Sequence, residues 1–169
     1  ILWAPAEGHF YWSAQNLTEV HSRGIEQRLD LVWTIDEHTF DFRAGYDLIK
    51  STNEVTLKQP QIEKGDQLIY VPEHQFFATI SWRWKGFRSH YYHRFTGAVS
   101  SENETLPAYD LGGLELNYQL NMKRWRGTVF AQIDNIWDTS YMVIERRPMP
   151  GRHYQFGIQL QILSPESNE

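Results

Sequence analysis

The feature that most constrains this chain is an alternation of apolar and polar residues in runs of about ten residues. In 153–162 the even-numbered positions are Tyr, Phe, Ile, Leu and Ile, and the odd-numbered positions are His, Gln, Gly, Gln and Gln. Runs 38–48 and 114–120 alternate in the same way. Successive side chains of a β-strand point to opposite faces, so these runs predict strands with one apolar and one polar face.

The alternation predicts seven antiparallel strands joined by connections of two lengths. The strands are expected at about 20–34, 38–50, 73–85, 87–98, 109–120, 125–135 and 152–163, with 1–5 as the end of an eighth. Short connections fall at 35–37, 85–86 and 121–124, and long ones at 51–72, 99–108 and 136–151. Tight turns at one end and long loops at the other are typical of an outer-membrane β-barrel.

A soluble antiparallel sandwich would show the same alternation, so the residue pattern leaves two architectures open. The mean hydropathy of −0.56 and the lack of a long apolar run exclude a helical membrane protein. A barrel is favoured by opposite charges on one strand face, at Asp41, Arg43 and Asp47, and by strands longer than the ~5–6 residues usual in sandwiches.

Composition excludes several other classes. The net charge is −5 and the cations are scattered, so binding to nucleic acid is not expected. The chain has no cysteine, which excludes a disulfide scaffold and thiolate metal sites. Residues 1–5 do not resemble a signal peptide, so an exported protein would have its N-terminal part outside this sequence.

Four segments in order resemble the end of the barrel of TonB-dependent receptors. Residues 131–141 resemble their "NLFDxxY" segment, and 148–154 resemble the "PGR-aromatic" entry to their last strand. Residues 70–74 resemble an "xVPxH" strand start, and 16–26 resemble "N…V…GxE". The family-motif residues, which we expect to be structural, are Gly24, Glu26, Pro72, Asp134, Asn135, Tyr141, Pro150, Gly151 and Arg152.

The resemblance implies the C-terminal seven to eight strands of a larger, 22-stranded, all-β, antiparallel up-and-down transmembrane barrel. Residues 1–163 would belong to this barrel and 164–169 to a short tail, with the plug domain and earlier strands outside the chain. It further implies a bacterial outer-membrane transporter that imports a metal–siderophore complex, cobalamin, haem or a glycan. TonB would energise import through the N-terminal part, and outer-membrane lipid, the nutrient ligand and a surface lipoprotein are the other partners to consider.

Local chemistry suggests reasons for some motif residues. Asp134 and Asn135 are expected to close a strand, because both side chains bond to nearby backbone and favour turns. Gly24 and Gly151 are expected to supply dihedrals that other residues avoid.

Residues that could carry chemistry have structural explanations. His90 and His93 would point to opposite faces of a strand and so could not share a metal ion. The carboxylates Asp134 and Asp138, and Glu26 and Asp30 beside Arg28, are expected to form ion pairs inside the barrel. No catalytic motif is present, and we expect no cofactor, no metal site and no enzyme activity.

We expect contacts with the ligand in the three long loops. The candidates for ligand contact or loop closure are Tyr70, Glu102, Glu104, Arg146 and Arg147. The alternative functions are a soluble β-sandwich module that binds carbohydrate and a passive porin.

Overall fold

A computed structural model describes residues 2–5, 10–15, 19–58 and 61–163. The ordered elements in this part of the chain are β-strands. None of the described residues belongs to a helix long and apolar enough to cross a membrane. The tail at 164–169 and the first two motif residues, Asn16 and Leu17, lie outside the described residues.

Fifteen strands follow one another along the described residues. They are β1 (Leu2–Pro5), β2 (Trp12–Gln15), β3 (Val20–Ile35), β4 (His38–Asn53), β5 (Leu57–Lys58), β6 (Gln61–Ile62), β7 (His74–Trp84), β8 (Phe87–Thr96), β9 (Val99–Ser100), β10 (Thr105–Leu106), β11 (Tyr109–Asn121), β12 (Trp125–Asp134), β13 (Met142–Ile144), β14 (Arg147–Pro148) and β15 (His153–Ile162).

The seven long strands form one antiparallel sheet in the order β3-β4-β7-β8-β11-β12-β15. They coincide with the seven predicted strands, which confirms the all-β, up-and-down architecture. The sheet does not close on itself, because β3 and β15 form its two edges. Residues 2–5 do form a strand, but β1 pairs with β2 in a separate two-stranded sheet and adds no eighth strand to the large one.

Short turns and long loops lie at opposite ends of the sheet, as predicted. At one end, two-residue turns at 36–37 and 85–86 and a three-residue connection at 122–124 join neighbouring strands. Asp36 and Lys85 have positive φ angles of 51° and 50°, as tight hairpin turns require. At the other end lie 54–73, 97–108 and 135–152, which we call the first, second and third loops.

The strand register gives the sheet one apolar and one polar face. Residues paired across an antiparallel ladder share a face, so a single row can be followed through all seven strands. One apolar row is Leu31, Phe42, Ile80, Tyr91, Leu114, Ile133 and Tyr154. The row beside it on the other face is Asp30, Arg43, Thr79, Tyr92, Gly113, Asp134 and His153.

The apolar face is not covered by other described residues. Phe156, Ile158 and Ile162 in β15 are 86%, 71% and 88% exposed. The described part of the chain has one fully buried large apolar side chain, Leu106, which lies in the second loop. A soluble sandwich needs a second sheet against this face, whereas a barrel wall leaves it to lipid. We therefore call the apolar face the outward face and the polar face the lumen face.

Aromatic rings collect on the outward face beside the short turns. Trp33 stacks on Phe40 with ring centres 5.3 Å apart, and Trp82 meets Phe87 edge-on at 5.3 Å. His38 stacks between Trp82 and Trp84 and accepts a hydrogen bond from the Trp82 indole nitrogen at 3.0 Å. Such amphipathic rings are enriched where a membrane meets water.

Candidate functional site

The three long loops fold over the lumen face and border a cavity of about 620 Å³. Residues from β4, β7, β8 and β11 form its floor, and residues from all three loops form its sides. The residues lining the cavity are Asp47, Tyr70, Pro72, Gln75, Phe76, Phe77, Arg94, Phe95, Thr96, Val99, Tyr109, Leu111, Tyr141, Met142, Val143 and Met149.

Aromatic rings and one cation dominate the polar chemistry of this cavity. Tyr109 and Tyr141 lie with ring centres 4.7 Å apart. Burial raises the pKa of the Tyr141 hydroxyl above its ordinary value, the nearby Tyr109 raises it further, and the charge of Arg94 opposes both. The Arg94 guanidinium forms no hydrogen bond or ion pair with another described residue. The cavity therefore offers a guanidinium without a partner among the described residues, beside two tilted phenol rings.

Two other arginines of the lumen face, Arg28 and Arg43, form ion pairs. Arg28 binds Asp47 with a shortest nitrogen–oxygen distance of 2.6 Å and lies 5.3 Å from the centre of the Phe77 ring. Arg43 lies 3.1 Å from Asp41 and 3.4 Å from Asp30. These contacts confirm the prediction of opposite charges along one face.

Of the four carboxylates expected to form ion pairs, two have a basic partner, Asp30 with Arg43 and Asp134 with His153. Asp134 accepts hydrogen bonds from the Tyr92 hydroxyl at 2.8 Å and the Gln132 amide at 2.8 Å, and lies 3.1 Å from His153. Asp138 instead accepts a hydrogen bond from the Arg152 backbone N–H at 2.9 Å. These contacts are structural ones within the strands and the third loop.

The first loop is fixed to the sheet and to the second loop by polar contacts. The Gln67 side chain accepts a bond from the Ser51 N–H at 2.9 Å and donates to the Val71 carbonyl at 3.2 Å. The Tyr70 N–H donates to the Ser100 carbonyl at 2.8 Å. Tyr70 has a positive φ of 60°, a conformation that residues other than glycine seldom adopt. These contacts hold Tyr70 at the side of the cavity.

Glu145 joins the second loop to the third. Its carboxylate accepts bonds from the Ser101 hydroxyl at 3.0 Å, the Asn103 N–H at 3.3 Å and the Asn103 amide at 3.0 Å. These hydrogen bonds, those from Asn103 first, lower the pKa of Glu145 below its ordinary value. The Glu145 side chain is 9% exposed, although it belongs to a loop. We call Glu145, Ser101 and Asn103 the loop clasp.

Asn135 organises the start of the third loop. It is buried, has a positive φ of 49°, and exchanges two hydrogen bonds of 2.9 Å with the backbone of Thr139. Its amide also donates to the Pro150 carbonyl at 3.4 Å. β12 ends at Asp134 and Asn135 begins the turn, as predicted. The predicted reason applies to Asn135 alone, because the Asp134 carboxylate contacts side chains and not nearby backbone.

The two motif glycines have a different reason from the one predicted. Among the described glycines only Gly65 has a positive φ, so neither Gly24 nor Gly151 supplies an unusual dihedral. At both positions a Cβ atom would lie too close to a neighbouring atom. A Cβ at Gly24 would lie 2.5 Å from the Leu48 carbonyl, and one at Gly151 would lie 2.9 Å from the Asp138 carboxylate.

The remaining motif residues have different surroundings. Pro72 and Tyr141 line the cavity. The Pro150 carbonyl and the Arg152 N–H bind Asn135 and Asp138 within the third loop. Glu26 lies on the lumen face, opposite Asp47 in the ladder.

One of the five predicted ligand contacts lines the cavity. This residue is Tyr70. Arg146 lies in the turn of the third loop, 84% exposed, with its guanidinium 3.4 Å from Glu145. Arg147 is exposed in β14. Glu102 and Glu104 lie in the second loop beside the loop clasp, where the Glu104 carbonyl accepts a bond from Ser101. Arg94 and Glu145 were not predicted.

The two histidines of β8 point to opposite faces, as predicted. His90 contacts the Ser81 hydroxyl at 2.9 Å on the lumen face, whereas His93 lies 3.1 Å from Asp110 on the outward face. The described residues contain no group of three or more His, Cys, Asp or Glu side chains placed to hold a metal ion.

Comparison with known proteins gave one finding that bears on this site. A family model described as "TonB dependent receptor-like, beta-barrel" matches residues 2–136. No curated protein matches the chain.

Proposed function

The chain belongs to the TonB-dependent receptor β-barrel family, and from this premise we propose that it forms the C-terminal wall and part of the outer loop rim of a nutrient importer. The family is one of outer-membrane transporters, not enzymes, in bacteria. The observation that carries the proposal is the two-faced sheet, whose apolar rows suit lipid and whose charged rows suit a polar lumen.

The cavity beneath the loops suits a ligand that combines flat apolar surface with negative charge. Tyr109 and Tyr141 supply aromatic surface, and Arg94 supplies a cation without a partner among the described residues. A charge-assisted hydrogen bond is stronger than a neutral one, so Arg94 would favour an anionic group. Among nutrients taken up by this family, an anionic metal chelate fits these residues better than a neutral glycan.

Transport through such a barrel is proposed to need energy from TonB. A lumen occupied by a plug domain has no open path, so a tightly captured ligand would not cross by diffusion. The outer membrane has no ion gradient of its own to do the work. TonB would act through an N-terminal region outside this chain, and a surface lipoprotein could assist at the loop rim. Tyr70, Glu102, Glu104, Arg146 and Arg147 remain proposed contacts or closing residues of that rim.

Uptake measurements test this proposal. We expect cells carrying the complete receptor to accumulate an anionic metal chelate, and to lose this uptake when TonB is removed. The Arg94→Gln variant is expected to bind the chelate roughly ten- to hundredfold more weakly, because it loses a charge-assisted hydrogen bond. The matched control is Arg88→Gln, which removes an exposed cation from the same face of β8 at the turn end.

The outcomes separate the alternatives. Uptake that continues unchanged without TonB would contradict active transport and leave a passive porin. Equal binding by the Arg94 and Arg88 variants would contradict the ligand site but leave transport standing. The soluble carbohydrate-binding sandwich is disfavoured, because no second sheet among the described residues covers the apolar face.

A further inference from the structure

Two cations stand opposite each other on the outward face, at the end of the sheet that carries the long loops. Arg23 in β3 pairs directly with Lys50 in β4 in the antiparallel ladder. The next outward pair toward the short turns is Ile25 with Leu48, which is apolar. Arg23 and Lys50 are therefore the first charged pair beyond the apolar band on these two strands.

No described carboxylate forms an ion pair with either cation. Side chains directly opposite in an antiparallel ladder have Cβ atoms about 4.5–5.5 Å apart, and like charges placed directly opposite each other are destabilising. The side chains of Arg23 and Lys50 form no hydrogen bond or ion pair with another described residue. An anion between the two cations would remove the repulsion and bind both.

The depth of the pair matches the headgroup region of a membrane. The outward residues of β4 are aromatic or aliphatic from Phe40 to Leu48. At about 3.4 Å per residue and a tilt of about 40°, this stretch is about 21 Å tall, close to the ~25 Å apolar band of an outer-membrane barrel. Lys50 is the next outward residue and so would lie at the outer rim of the band.

A groove of about 350 Å³ runs beside the two cations. Arg23 and Lys50 line its polar end, and Ile25 and Leu48 line its apolar side. Glu73 also borders the groove but forms no ion pair with either cation. Charge next to an apolar wall suits a molecule with an anionic head and an aliphatic chain.

One cation at the opposite end of the sheet, Lys85, has different surroundings. Lys85 lies in a short turn, 3.2 Å from Glu37 and 5.2 Å from the centre of the Trp84 ring. Its charge is already compensated by the protein. Arg23 and Lys50 lack such compensation and lie at the loop end of the sheet. This end faces the outer leaflet, because outer-membrane barrels carry their long loops on the extracellular side.

We propose that Arg23 and Lys50 bind the phosphate of a lipid headgroup in the outer leaflet, with an acyl chain lying along Ile25 and Leu48. Arginine and lysine both bind phosphate by charge-assisted hydrogen bonds. The site is separate from the ligand cavity, because its residues lie on the outward face and the cavity lies on the lumen face.

Native mass spectrometry of the complete receptor in detergent tests the proposal. The probes are bis-phosphorylated lipid A, the same lipid without its phosphates, and inorganic phosphate. The Arg23→Gln/Lys50→Gln double variant is expected to bind the phosphorylated lipid about 30-fold more weakly than the parent. The control is Lys123→Gln/Arg124→Gln, which removes two exposed cations at the turn end and should bind like the parent.

Three results would overturn the proposal. The first is binding by the Arg23/Lys50 variant within about threefold of the parent. The second is equal binding of the lipid without phosphates. The third is displacement of the lipid by millimolar inorganic phosphate, which would indicate a site for free anions. Each variant must first migrate as a folded, heat-modifiable barrel on a gel, so that lost binding is not lost folding.

Discussion

Replacing Ile158 with Arg would put a guanidinium on the outward face near the middle of the bilayer. Ile158 is the sixth of the ten residues of β15, is 71% exposed, and pairs with Val129 on the same face. A cation on the lipid face costs about 2–4 kcal/mol at the bilayer midplane. This cost would lower the folding equilibrium constant roughly 30- to 1000-fold.

The neighbouring position supplies a matched control. Gln159 pairs with Thr128 on the lumen face, where water or polar groups can solvate a new cation. Gln159→Arg is therefore expected to change the free energy of unfolding by less than about 0.5 kcal/mol. The two variants add the same charge to the same strand, one residue apart.

The assay is refolding of the complete receptor into lipid vesicles, followed by a urea titration read from gel mobility and tryptophan fluorescence. Leu116→Arg and Asn117→Arg in β11 repeat the comparison on another strand, because these residues also face outward and inward respectively. Equal destabilisation at inward and outward positions, or equal tolerance, would refute the assignment of the two faces.

Three further predictions concern other contacts. Gly113→Ala is expected to destabilise the barrel by about 1–3 kcal/mol in the same urea titration, because its Cβ would overlap the Tyr92 ring, whereas Gly127→Ala meets only an ordinary 3.5 Å contact and should be nearly neutral. The pKa of Glu145 is lowered, so the loop clasp should be fully stabilising above the ordinary pKa of a glutamate and should loosen as pH falls through the lowered value. Tryptic cleavage after Arg146 should be faster in the Glu145→Gln variant but not in the Glu102→Gln variant. Residues 1–169 in plain buffer should not give a monodisperse, cooperatively melting monomer, because the apolar face and the edges of β3 and β15 would be bare; sedimentation and calorimetry would detect one.

The strands were predictable because their signal is local. A period of two over ten or more residues assigns each side chain to a face without knowledge of the partner strand. The ends were less predictable. β4 runs to Asn53, beyond the predicted residue 50, because Asn53 is buried and its N–H binds the Asp66 carbonyl of the first loop. β8 ends at Thr96, before the predicted residue 98. The next residue, Gly97, donates its backbone N–H to the His74 carbonyl.

The candidate site was harder to predict because its contacts join distant parts of the chain. Glu145 binds Ser101 and Asn103 across sequence separations of 44 and 42 residues, and nothing near Glu145 in the sequence marks these partners. Arg94 resembles any other polar residue of an alternating strand until the loops are placed around it. Tyr70 was predicted to lie at the site because it is an aromatic residue of a long loop, and Asn135 was predicted to form a turn because asparagine beside aspartate commonly does so.

The order of strands in the sheet has a consequence for how the wall can be built. Each long strand pairs only with the long strands before and after it in the chain, and three of the six ladders are closed by turns of two or three residues. Closing so short a segment costs little chain entropy. Hairpins can therefore form early and then pair with the neighbouring hairpin along the chain. Joining the two outer edges of a complete ring spans the whole barrel and carries the largest entropy cost. The strands would then assemble in the order in which they lie in the sheet, and closure of the barrel would be the last step.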